Sequence, residues 1–172
     1  MLVIKMLTIL VLPLLSFIVQ LLLPKRINKI KAYISSLIML MSLLISSNAL
    51  MQIYSSSKMS IMDKLSFALA NSALSVFEFS WISLPDLQIN FGVLLDSMAV
   101  LMLFVVSLIS LLVHIFSIEY MKGDKRFSRY FAYLGLFTFS MNGIIISNNL
   151  FFTFVFWELV GVSSFLLIGF WY

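Results

Sequence analysis

Glu158 and His114 are the two residues whose type and position could move a proton. Glu158 is the single charge in the 43 positions from Tyr130 to Tyr172. An ionisable group inside so apolar a run is costly, and it marks a functional site by default. A carboxyl there can hold a proton and release it when a cation approaches, the behaviour a relay needs. Gly161 and Ser164 follow three and six positions on, small residues that admit a close helix or water. The plainer alternative is that Glu158 bonds a polar group on a neighbouring helix. His114, in Leu112-Val113-His114-Ile115, is the only histidine. Imidazole titrates near neutrality, so it could join a relay. It could equally be a polar residue bonded to a carbonyl.

No basic residue is available to answer Glu158. None of the eleven lysines and arginines falls deep within an apolar run. A complete proton path therefore needs groups from outside this chain. Other chemistries are excluded more firmly. There is no cysteine, which removes thiolate iron–sulfur ligation, cysteine zinc sites and disulfides. One histidine rules out a bis-histidine haem within the chain. No metal-ligand cluster, Gly-x-Gly-x-x-Gly run or Walker pattern occurs, so neither a metal nor a nucleotide site is expected.

The elements that must hold these residues are membrane spans. Of 172 residues, 62% are hydrophobic and 10% charged, against about 45–50% and 25% in soluble domains. Too few polar residues remain to cover a water-soluble body, and the +4 net charge belongs to topology rather than to nucleic acid. A helix crossing the hydrocarbon core needs about 20 apolar residues. Lys5 to Lys25 brackets 19 uncharged residues, Lys31 to Lys58 brackets 26, and Asp96 to Glu119 brackets 22. The run from Tyr130 is long enough for two crossings, divided by a turn at Ser147-Asn148-Asn149, since asparagine favours turns. The expectation is an all-α integral membrane chain with five spans: 6–24, 33–55, 97–118, 130–147 and 150–172. The first is too long, and lacks the cleavage site, for a signal peptide.

Eight basic residues lie in the first and third connections (Lys25, Arg26, Lys29, Lys31, Lys122, Lys125, Arg126, Arg129), against Lys5, Lys58 and Lys64 elsewhere. The positive-inside rule then puts the N-terminus outside and both basic loops in the cytoplasm or an organelle's matrix. Three parts result: 1–57 with two spans, 58–96 as an outer-face connection, and 97–172 with three spans. In the connection, Ile61 to Leu74 could form a short amphipathic helix. Phe77, Phe79 and Trp81, then Leu87, Ile89 and Phe91, alternate with polar residues around Ser83-Leu84-Pro85-Asp86. That pattern predicts a β-hairpin lying on another element, because a lone hairpin is marginal in water. An extended interfacial loop is the alternative.

Asp96 precedes the third span as an N-cap. Asn142 should hydrogen-bond across helices. Ala132, Gly135, Phe139, Asn142 and Gly143 share a stripe that should pack on a neighbour. Glu119, Lys122, Asp124, Lys125, Arg126 and Arg129 read as a solvated loop. Glu158, eight residues past Leu150, lies about 12 Å along its helix, near the bilayer midplane.

Several runs carry a family resemblance: Leu95-Asp96-Ser97-Met98, Leu112 to Met121, Arg126 to Met141, and Phe154-Val155-Phe156-Trp157-Glu158-Leu159-Val160-Gly161 continuing to Phe170. Together they resemble the antiporter-like L subunit (subunit 5) of respiratory complex I, the proton-translocating NADH:quinone oxidoreductase. The likeness is dense over 91–172 and looser over 1–60. Cation/proton antiporter and membrane-hydrogenase subunits share it more weakly.

The resemblance implies an antiporter-like fold of well over a dozen helices, partly two inverted five-helix repeats. It implies that Glu158 matches the fifth-helix glutamate that pairs with a seventh-helix lysine, and that His114 matches a histidine at the end of the third helix. NADH, FMN, iron–sulfur clusters and quinone would belong to partner subunits, with no cofactor in this chain. Implied partners are other membrane-arm subunits, the remaining helices of the same subunit and the lipid bilayer. The sequence ends after the fifth span, so the expectation is an N-terminal portion or truncated product, located in a bacterial inner membrane or alternatively the mitochondrial inner membrane. A cation/proton antiporter or hydrogenase module, and a non-transporting scaffold, remain the other readings.

Overall fold

The computed structural model describes residues 2–23, 28–56, 74–84 and 87–172. The expected amphipathic helix at 61–74 falls outside them apart from Leu74, which begins a strand. The described residues form five α-helices and one hairpin: α1 (Leu2–Leu22), α2 (Asn28–Ser56), β1 (Leu74–Leu84), β2 (Leu87–Leu95), α3 (Ser97–Tyr120), α4 (Phe127–Ile146) and α5 (Leu150–Ile168), followed by a 3-10 turn, Gly169–Trp171. All five expected spans are helices. Their ends differ: α1 begins nearer the N-terminus, α2 extends five residues further back, taking in Lys31, α4 begins three residues earlier, and α5 gives way to the 3-10 turn after Ile168.

Four of the helices are long and apolar enough to cross a bilayer by themselves. The exception is α4, and its place in the bundle gives the reason. It packs on α1, α2, α3 and α5, so it sits inside the bundle and need not match lipid. Thr138, Ser140 and Asn142 on it are buried. A helix enclosed by protein can carry polar groups that a lipid-facing one cannot.

The expected stripe on α4 does pack, but on two partners. At Gly135 an added Cβ would lie 3.1 Å from the backbone nitrogen of Phe17 and from the carbonyl oxygen of Pro13. A residue without a side chain lets α1 and α4 approach this closely without strain. Gly143 faces the ring of Phe156 on α5 instead.

Pro13 lies inside α1 and lacks the N–H that would normally bond the carbonyl of Ile9, four residues back. Asn142 supplies the missing donor: its side-chain amide donates to Ile9 O at 3.2 Å. The cross-helix bond expected of Asn142 thus repairs a defect in the partner's backbone. In lipid, such a freed carbonyl must find a partner within the protein.

β1 and β2 pair antiparallel, with Phe79 opposite Phe91 and Leu84 opposite Leu87. The register is not the uninterrupted alternation read from sequence. It shifts between Ser75 and Phe77 and again between Ser80 and Ile82, so Trp81 falls at an irregularity and Ile82, not Trp81, pairs with Ile89. An extra residue in one strand displaces the alternation in this way. The hairpin rests on another element, as a lone pair must. Val93 bridges to Ser147, the Asn149 amide donates to Asn90 O, and Phe91 meets Phe152 edge-on at 4.6 Å.

Caps fix two helix starts. Asp96 accepts from the Ala99 amide, and Asn149 accepts from the Phe152 amide at 2.8 Å. The Ser147–Asn149 segment is therefore both the expected turn and the N-cap of α5.

Candidate functional site

α5 carries Glu158 on an open face. The helix starts at Leu150, which puts Glu158 about 12 Å along its axis. Within α5 only Ser163 is buried. Glu158 is exposed, as are Phe154, Trp157, Gly161 and Val162 around it. A Cβ added at Gly161 would meet nothing within 4 Å. Glu158 has no hydrogen bond or ion pair with any described residue. Ser164, exposed to an intermediate degree, turns its hydroxyl back to the Gly161 carbonyl. An acid at this depth, on an open helix face with a glycine one turn away, has room for a partner brought by another segment.

His114 is placed quite differently. It is 1% exposed, six residues before the end of α3. Its Nδ1 donates to the Ser110 carbonyl at 2.8 Å. Ser110 Oγ lies 2.8 Å from Thr138 Oγ1 on α4, which donates to Leu134 O. Phe131 meets the imidazole ring edge-on at 5.8 Å. Nε2 and the hydroxyl of Ser117, one turn on, have no partner among the described residues. Of the two sequence alternatives for His114, the bond to a carbonyl is seen at Nδ1, while Nε2 has no partner among the described residues. The structure does not bring His114 and Glu158 together, because α4 packs between α3 and α5.

Lys31 departs most from the sequence reading. Expected in the first basic connection, it is 1% exposed within the first turn of α2. Its ammonium donates to Gln20 O at 3.3 Å, to Leu23 O and to Ser128 Oγ at 3.2 Å. Three N–H groups thus meet three neutral acceptors, two of them carbonyls at the end of α1, where a positive charge complements the helix dipole. Gln20 returns a bond to Lys31 O at 2.8 Å. The signal available in sequence was the spacing of Gln20, Lys31 and Ser128 near three helix ends, which only the packing makes legible.

The second basic connection is mostly exposed, as expected. Lys122 pairs with Glu119 at 2.8 Å, and this carboxylate holds the ammonium above the ordinary lysine value, with a smaller contribution from Tyr33. Asp124 accepts from the Arg126 amide and from Trp171 Nε1. These bonds, the Arg126 amide's first, hold its carboxyl below the usual range. The loop is thereby latched to the end of α5, where Arg126 also lies 4.8 Å above the Phe170 ring. No cluster of three metal-ligating side chains occurs among the described residues.

Residues 81–131 match the family model of the N-terminus of chain 5 of NADH–ubiquinone oxidoreductase, complex I. The chain is 36% identical over 148 residues to the chloroplastic NAD(P)H-quinone oxidoreductase subunit 5 of Piper cenocladum, covering 86% of this chain and 18% of the relative. It is 43% identical over 117 residues to NADH-ubiquinone oxidoreductase chain 5 of Cryptococcus neoformans, covering 68% of this chain and 18% of that protein. The chain belongs to the complex I chain 5 family. It spans 14 to 18% of the length of these relatives and of the Anthoceros angustus subunit 5. The family match, in this chain 5 region, contains His114 and ends before Glu158.

Proposed function

We propose that this chain works in the membrane arm of a proton-translocating NADH:quinone oxidoreductase, with Glu158 as a carboxyl that takes up and releases protons. The observation that carries this reading is the placement of Glu158: about 12 Å along a bilayer-length helix, on an open face, with no partner among the described residues. A cation delivered by another segment of the assembly would set when the proton leaves, since a nearby positive charge favours the ionised form. His114 takes a lesser part as a relay group on the α3–α4 seam. With Nδ1 engaged by Ser110, Nε2 is the atom that exchanges the proton. NADH, FMN, iron–sulfur clusters and quinone are assigned to partner subunits, and other membrane-arm subunits are the proposed neighbours.

The proposed location is an energy-coupling membrane, with both basic loops on the cytoplasmic or matrix side. The bacterial inner membrane is the first reading. The mitochondrial inner membrane is the second, favoured by the fungal relative. Capture of the chain from solubilised membranes through an affinity tag tests the proposal. Co-purification of an NADH-oxidising flavoprotein with iron–sulfur clusters supports it. Recovery without any electron-transfer partner, but with cation/proton exchange in vesicles, would favour an antiporter instead. A scaffold role would leave proton uptake indifferent to Glu158.

A further inference from the structure

An apolar groove of about 500 Å³ runs between α2 and α3 on the outside of the bundle, lined by Ile30, Tyr33, Leu37 and Leu40 from one side and Leu111 and Ile115 from the other. Three features define what fits it. The first is length. From Ile30 to Leu40 is ten residues, about 15 Å of helix, half of the roughly 30 Å hydrocarbon core. The groove begins at the basic-loop end and stops near the bilayer midplane. A transmembrane helix would need a furrow of twice that length, whereas an acyl chain of a single leaflet needs only this much.

The second feature is polarity. The one hydroxyl other than tyrosine's along the groove, Ser36, is bonded back to Ala32 O at 3.0 Å, so its donor is not available to a polar occupant. The third is charge at the mouth. Tyr33 is exposed near the start of α2, at the same end of the bundle as Lys122, which lies just past α3. Lys122 spends one N–H on Glu119 and is 61% exposed, which leaves donors for a phosphate. The connection from Met121 to Arg126 carries three basic residues and one acid. Basic residues at the membrane surface attract anionic headgroups.

We propose that this groove is a phospholipid site, seating one acyl chain of a lipid from the basic-loop leaflet, with the anionic headgroup held by Lys122 and the Tyr33 hydroxyl. The site is separate from Glu158 and does not depend on the proposed transport role.

Photolabelling tests it, using the chain in its native membrane assembly, reconstituted in phosphatidylcholine vesicles doped with a phosphatidylglycerol that carries a diazirine on one acyl chain. Peptide mapping should find label concentrated on Leu37, Leu40 and Ile115, several-fold above Leu15 and Ile18 on the exposed face of α1. Leu37→Trp should fill the groove and cut that label at least fivefold, with labelling of α1 unchanged. Ile115→Trp serves as the second filling variant should the first destabilise the bundle. Lys122→Gln should bring labelling by the phosphatidylglycerol down to that of an identically tagged phosphatidylcholine. Equal labelling of the groove and the α1 face, or a groove that takes no label because protein fills it, would overturn the proposal. So would a preference for the anionic lipid that survives Lys122→Gln.

Discussion

α4 and α5 are adjacent antiparallel helices, joined by three residues, and they treat polar groups in opposite ways. On α4 most buried polar side chains are satisfied. Thr138 bonds Ser110 and its own helix, Ser140 bonds Leu136 O, and the Asn142 amide meets Ile9 O. On α5 the one ionisable group lies exposed and alone among the described residues. The difference separates polar residues that build the bundle from a polar residue the bundle leaves for something else. Interior amides and hydroxyls contribute cohesion where the hydrophobic effect between helices is weak. A carboxyl held outside that network adds nothing to the packing of these five helices.

The largest expected effect comes from two glycines, one on each helix. Gly135→Leu should force α1 and α4 apart, because no shift of a side chain can relieve a clash with backbone. A loss of about 3 kcal/mol or more is expected, at or above the upper end for overpacking. Gly161→Leu should cost nearly nothing and could stabilise by a few tenths of a kcal/mol through helix propensity. Thermal unfolding in detergent compares them. Equal losses would mean that the α5 face is as closely covered as α4.

Lys31→Met comes next. It strips the donors from carbonyls at the end of α1 and from Ser128, at a cost of about 1–3 kcal/mol for stranded polar groups. Limited proteolysis between α1 and α2 should report the loosening as faster cleavage.

Asn142→Leu should cost about 1–2 kcal/mol, because it strands the Ile9 carbonyl. Pro13→Ala sharpens the test. Alanine restores an N–H for Ile9, so Asn142→Leu should cost less in that background than in the wild-type chain. A double-mutant cycle measures the coupling, and strict additivity would refute the repair.

The smallest effect is the acid dependence of the loop latch. Asp124 is held below its ordinary value, so its contribution is present above the unfolded carboxylate pKa and is lost as pH falls through the lowered folded one. The difference in tryptophan fluorescence between wild type and Trp171→Phe should stay constant near neutrality and change only in acid, below the usual aspartate range. A transition near neutral pH would contradict this.

Much of this contrast was legible in the residues. Charge spacing and the Ser147–Asn149 turn located the five helices, four of them long and apolar enough to cross a bilayer, and the isolation of Glu158 in a 43-residue stretch marked it without any structure. The cap at Asp96 and the turn at Ser147–Asn149 followed from local rules that need no tertiary information, while the capping of α5 by Asn149 emerged only in the structure. What escaped were facts created by packing. Lys31 reads as one more loop cation until α1, α2 and α4 converge on it. The acceptor for Asn142 cannot be guessed, because it depends on a proline 129 positions away. Trp81 fits a period-two pattern, and the register shift beside it appears only once the two strands are paired. The burial of His114 likewise depends on which face of α3 meets α4.

The central claim is that Glu158 is loaded and unloaded with protons, and Glu158→Gln tests it most directly. Protons translocated per NADH oxidised should be measured in vesicles that hold the complete assembly with wild-type chain or with the variant. The account predicts a clear fall in that ratio while the assembly stays intact and NADH oxidation continues. An unchanged ratio would contradict it.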